Sequence, residues 1–131
     1  QLEALDAAFR EVIGDAGRDT LFFGDRFPLL YFVREYGLNY YAAFPGCASE
    51  TEPSAATVAR LIDLVREEEA PVVYQIDLSN GNIARSIAVS SGARVETFYT
   101  CHNITADDFN AGETYLSLMQ RNVDSLKEAL N

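Results

Sequence analysis

The sequence holds a single histidine, two cysteines, and half as many basic as acidic residues. Ten Lys and Arg against twenty Asp and Glu leave a formal net charge of −10. With no basic stripe to neutralise phosphates, nucleic acid is excluded as a partner. The balance suits cations, and equally a well-solvated acidic surface. No apolar run approaches the roughly 20 residues of a membrane-spanning helix. Gly24, Gly46 and Gly81 fit neither GxGxxG nor GxxxxGK, so a phosphate-cradling loop is unsupported. No GxSxG nucleophile elbow occurs. Neither cysteine belongs to a CxxC pair, which argues against a thioredoxin-like centre or a zinc ribbon. No signal peptide is recognisable, and the chain opens at Gln1 inside a helical pattern, as expected of a segment excised from a longer protein.

What is present suffices for one domain with its own core: 131 residues, 48% hydrophobic, with seven Tyr and eight Phe. Residues 1–14 set Leu2, Leu5, Phe9, Val12 and Ile13 on one helical face. Thr20–Phe23 reads as a strand that runs into Gly24-Asp25. Leu29, Leu30, Phe32, Val33 and Tyr36 then recur at helical spacing until Gly37. Asn39–Phe44 is a second strand. Pro53 or Ser54 opens a helix that buries Val58, Leu61, Ile62 and Val65. Pro71–Leu78 has the continuous apolar character of a strand covered on both faces. A helix over Ile83–Ser91 ends at Gly92, and Val95–Tyr99 is the fourth strand. An irregular stretch precedes a last helix, from about Glu113 to Leu130, with Tyr115, Leu118, Met119, Asn122 and Leu126 on one face. Four alternations with short connections predict an α/β fold: a four-stranded, mainly parallel sheet with helices on both faces.

In such sheets ligands bind beyond the carboxyl ends of the strands. The loops there carry Asp25, Arg26, Cys47, Glu50, Glu52, Asp77, Cys101 and His102. Asp25, where a strand hands over to a helix, is read either as a cap for free N–H groups or as a carboxylate reaching into the cleft. His102 as neutral imidazole suits zinc or manganese. Cys47 and Cys101, 54 positions apart, are two buried thiols, a disulfide or metal ligands. A disulfide over that loop contributes about 4 kcal/mol in the chain-entropy model. An alternative function is a thiol-dependent flavodoxin- or Rossmann-like enzyme domain using Cys47, Cys101 and His102.

The order of several motifs is familiar. Tyr31-Phe32 is followed by Tyr36-Gly37-Leu38, and Glu52-Pro53-Ser54 opens a helix containing Leu61-Ile62. Ile83-Ala84, Ser91-Gly92-Ala93, and then Gly112, Tyr115-Leu116, Met119 and Asn122 come next. In this order the chain resembles the C-terminal lobe of the zinc/manganese substrate-binding proteins of bacterial ABC transporters, a family of metal-binding lipoproteins and adhesins. Asp25-Arg26-Phe27-Pro28 with Cys47 resembles a Firmicutes-like subgroup. The resemblance implies residues 1–18 as the end of an inter-lobe linker helix and 19–131 as the lobe. It implies a non-enzymatic protein that captures Zn or Mn with a second lobe, absent from this chain, and delivers it to a membrane permease. It further implies an extracellular or periplasmic location with a lipid anchor on the parent protein. An oxidising compartment in turn favours the Cys47–Cys101 disulfide. The family places one ligand of this lobe, His or Glu, at the start of the helix after the first strand, and a carboxylate in the loop after the last strand. Gapless counting puts Arg26, which binds no metal, at the first position. Asp25 serves with a one-residue slip, and Cys101 and His102 occupy the second position. Asp25 and His102 are therefore the expected metal ligands.

Overall fold

A computed structural model describes residues 1–27, 29–44, 54–101 and 104–130, the side chains of Arg26 and Phe44 excepted. Four strands, β1 (Thr20–Arg26), β2 (Asn39–Phe44), β3 (Val72–Ile76) and β4 (Arg94–Phe98), form one sheet in the order β2-β1-β3-β4. Every pairing is parallel. Helices α1 (Leu2–Gly14), α2 (Leu30–Glu35), α3 (Ala55–Glu67), α4 (Asn82–Ser91), α5 (Ala106–Asn110) and α6 (Tyr115–Leu130) complete the chain. The α/β architecture expected from the alternation is the one observed.

The two faces of the sheet carry separate cores. Leu21, Phe23, Val72, Tyr74 and Phe98 pack with Leu5, Phe9 and Val12 of α1, Val33 of α2 and the apolar side of α6. Phe22, Ala43 and Val73 face Leu61 and Val65 of α3 and Ala84 and Ile87 of α4. Alternate residues of one strand thus serve opposite cores, which is why β3 reads as unbroken apolar sequence. Phe23 stacks on Tyr74 at 5.4 Å between ring centroids and meets Phe98 edge-on at 6.0 Å. Across this cluster Phe32 meets both Phe98 (5.4 Å) and Phe9 (5.2 Å), tying α2 to the sheet and to α1. Polar bonds reinforce that corner. The Tyr36 hydroxyl donates to Asp6 Oδ1 at 2.7 Å, and Arg10 bridges Asp6 (3.0 Å) and Glu35 (2.7 Å).

Several boundaries differ from the sequence reading, each for a physical reason. Strand β1 does not stop at Phe23 but runs on through Gly24, Asp25 and Arg26, with a shift in register against β2 between Phe23 and Arg26. Gly24 is there for space rather than for a turn. A Cβ on it would stand 2.4 Å from Ala84 Cα, where α4 crosses β1. Asp25 accordingly lies inside the strand, and α2 begins at Leu30 behind Leu29, which makes no side-chain cap bond. The stretch read as irregular contains α5, a single turn capped by the Thr105 hydroxyl accepting from Asp108 N at 3.0 Å. The last helix starts at Tyr115 because Thr114 Oγ1 accepts the Ser117 N–H at 3.1 Å. Leu2 (64% exposed) and Tyr115 (52%) lie outside the cores assigned to their helices. Both belong to the first turns of their helices. Ser54 is the N-cap of α3, and Gly37 and Gly92 adopt the left-handed conformation that ends their helices.

Candidate metal centre at the carboxyl edge of the sheet

The chain passes from β1 to β2 on one side and then crosses to β3 on the other. The strand order therefore reverses between β1 and β3, where open α/β sheets form their ligand crevice. Asp25 lies on the β1 side of this crevice. Its register shift is a bulge-like irregularity of the kind that re-aims side chains beside functional sites. The residue is only 8% exposed, and its Oδ2 accepts the Ile76 N–H of β3 at 3.3 Å. The carboxylate is thereby held in place at the strand ends by a backbone donor.

Asp77 follows β3 directly. Its Oδ1 accepts both the N–H (3.0 Å) and the hydroxyl (2.8 Å) of Thr100, in the connection after β4. The next residue, Cys101, has φ 61°, and Leu78 beside Asp77 has φ 65°. Left-handed conformations cost non-glycine residues about 1–2 kcal/mol and persist where the surroundings over-determine them. Two of the three such residues among those described adjoin this edge. From the other side Asn122 of α6, fully buried, grips the peptide of Tyr99. Its Oδ1 accepts from Tyr99 N and its Nδ2 donates to Tyr99 O, both at 2.8 Å.

Cys101 is a half-buried free thiol, and burial first, then the charge of Asp77, pushes its pKa up. A thiol nucleophile requires the opposite shift, so the geometry lends nothing to the enzyme reading. The other sequence candidates, Cys47, Glu50, Glu52 and His102, lie outside the described residues, and with them the second half of the expected disulfide and of the expected ligand pair. Among the described residues no three His, Cys, Asp or Glu side chains are grouped to hold one ion. The structure thus brings Asp25, Asp77, Thr100 and Cys101 to one edge, as their places after parallel strands require. Sequence reading placed Asp77 and Cys101 there, and Asn122 on the buried face of α6. It missed what Asp77 and Asn122 bind. The only available signals were a carboxylate at a strand end and an amide among apolar helix positions.

Tyr31 at the start of α2 is 85% exposed, and Leu78 after β3 is 59% exposed.

Residues 1–129 match the model of the family described as zinc-uptake complex component A, periplasmic. The chain belongs to that family. Among curated members of the zinc-uptake family it is 28% identical over 128 residues to the zinc-binding lipoprotein AdcA of Streptococcus pneumoniae, covering 98% of this chain and 25% of that protein. It is also 28% identical over 130 residues to the high-affinity zinc uptake system protein ZnuA of Bacillus subtilis, covering 99% and 40%. The chain spans less than half the length of these relatives. Among solved structures it matches the Zn(II)-bound ZnuA-like domain of pneumococcal AdcA with a TM-score of 0.76 at 26% identity, over 98% of this chain and 48% of that one. The metal-dependent lipoprotein YcdH of Bacillus subtilis matches with a TM-score of 0.79 at 27% identity, over 99% and 48%. The fold is therefore that of a lobe of the zinc-uptake binding proteins. No helix among the described residues is long and apolar enough to cross a membrane.

Proposed function

We propose that this chain is one lobe of a solute-binding protein that captures zinc and passes it to the permease of an ABC transporter, without catalysing a reaction. The observation that carries the reading is a match of nearly the whole chain to 48% of a Zn(II)-bound domain. It is joined by a buried, backbone-anchored Asp25 at the edge where this fold binds ligands. Residues 1–18 are the end of the inter-lobe linker and 19–131 the lobe. Asp25 and His102 are the ligands that this lobe contributes. Carboxylate and imidazole both suit zinc, which prefers about four ligands, so a second lobe supplies the remainder. Manganese is the competing cargo, and a carboxylate-rich second lobe favours it. A lipid anchor holds the parent protein beside its permease, in the oxidising space outside the membrane.

The uncovered Tyr31 and Leu78 belong to the surface that meets the second lobe. The test is equilibrium titration of Zn²⁺ and Mn²⁺ into the full-length protein and into residues 1–131 alone. One tight zinc site in the full-length protein, much weakened in the isolated lobe, is the expected result. A full-length protein that takes up no zinc removes this function.

A further inference from the structure

Strand β4 ends at Phe98, and among the described residues no strand pairs with the residues after it. Two side chains hold them instead. Asn122 satisfies both backbone groups of Tyr99, as a partner strand would, and Asp77 takes the N–H and hydroxyl of Thr100. Consecutive residues are thereby pinned by two separate elements, α6 and the β3–α4 connection. Asn122 is a costly choice for this purpose. It sits at 0% exposure beside Met119, Val123 and Leu126, where an apolar side chain is the default, and a buried amide is tolerated only when its groups are bonded. An isosteric Leu would leave the Tyr99 N–H and C=O without partners. A carboxylate would accept from the N–H but face the carbonyl with like charge. Directly after this double clasp comes Cys101 in its left-handed conformation.

We infer that Asn122 and Asp77 are positioning residues that set where the loop after β4 presents its metal ligand. The inference rests on the zinc-capture reading above. Neither residue binds the ion. Each acts through the backbone of Tyr99 and Thr100, as outer-shell groups orient the ligands of metal sites, and loss of such a group typically lowers affinity about 10–100-fold.

The experiment measures Zn²⁺ affinity by competition with a chromophoric chelator, in the full-length protein, together with amide hydrogen exchange at Tyr99 and Thr100 without metal. Asn122→Leu and Asp77→Ala are compared with Asp77→Asn, which keeps an accepting oxygen for Thr100. Leu126→Ala is the control, because it weakens the same helix while leaving both clasps in place. Asn122→Leu and Asp77→Ala should lose affinity about 10-fold or more and exchange faster at the clasped amides. Asp77→Asn should recover most of the affinity that Asp77→Ala loses, and Leu126→Ala should keep its own. Losses no greater than in Leu126→Ala, or unchanged exchange, overturn the inference. Equal loss in Asp77→Asn and Asp77→Ala makes Asp77 a ligand and overturns its positioning role. If Asn122→Leu does not fold, the two Asp77 variants decide. If the wild type binds no zinc, the functional reading falls, and the exchange data alone decide whether the clasp holds the loop.

Discussion

Substituting Gly24 by alanine tests how the sheet edge is built. The added Cβ would lie 2.4 Å from Ala84 Cα, 2.8 Å from Ala84 N and 2.9 Å from Ala84 Cβ. Two of these three atoms are backbone of α4, which cannot swing aside as a side chain does. Overpacking against an unyielding partner costs about 3 kcal/mol. The smaller entropy of the unfolded alanine chain offsets up to about 1 kcal/mol of this. A net loss of about 2 kcal/mol lowers the melting temperature of a domain this size by roughly 8 °C. Thermal and urea unfolding followed by circular dichroism measure it. Adding Ala84→Gly should not rescue the variant. It removes only the Cβ contact, leaves the two shorter ones, and costs helix α4 about 1 kcal/mol of propensity. A Gly24→Ala protein within about 2 °C of wild type, or recovery in the double variant, would refute the close-approach argument. The same shift displaces Asp25, the next residue along β1, so zinc affinity should fall with stability.

Burial, with the Asp6 bond second, pushes the Tyr36 hydroxyl up to about 12. A pKa raised on folding stabilises below the unfolded value near 10 and is lost as pH rises through 12. Stability should therefore fall over that alkaline window, and Tyr36→Phe should flatten the fall and remove one late phenolate from the ultraviolet titration. Ser54 Oγ accepts the Thr57 N–H at 3.1 Å at the start of α3, so Ser54→Ala should cost about 1 kcal/mol in urea unfolding. An unchanged midpoint would show that this cap contributes nothing.

The architecture was legible because the apolar periods change cleanly from two to near four, and because Gly37, Gly92 and Ser54 mark helix ends by their own chemistry. Gly24-Asp25 misled for the opposite reason. Glycine before aspartate looks like a turn, yet this glycine answers to Ala84, sixty positions on, and no local pattern reveals such a contact. Helix α5 escaped because a five-residue turn with polar Asp107, Asp108 and Asn110 has no buried residue to display. Tyr115 and Leu2 fit their helical stripes but lie exposed in the first turns of their helices. The site was legible as an edge, since every residue following a parallel strand arrives there. The clasps made by Asn122 and Asp77 were not legible, because they join residues 23 positions apart through backbone atoms that carry no sequence identity.

The central claim is that the carboxyl edge of this sheet supplies half of a zinc site through Asp25 and His102. The most direct test is a zinc titration of the full-length protein, wild type against Asp25→Ala and His102→Ala, with apo-state unfolding as the control for folding. Each lost ligand should weaken zinc binding by at least the roughly 10–100-fold typical of a lost outer-shell group, with both apo variants still folded. Wild-type affinity in both variants would contradict the account and move the site away from this edge.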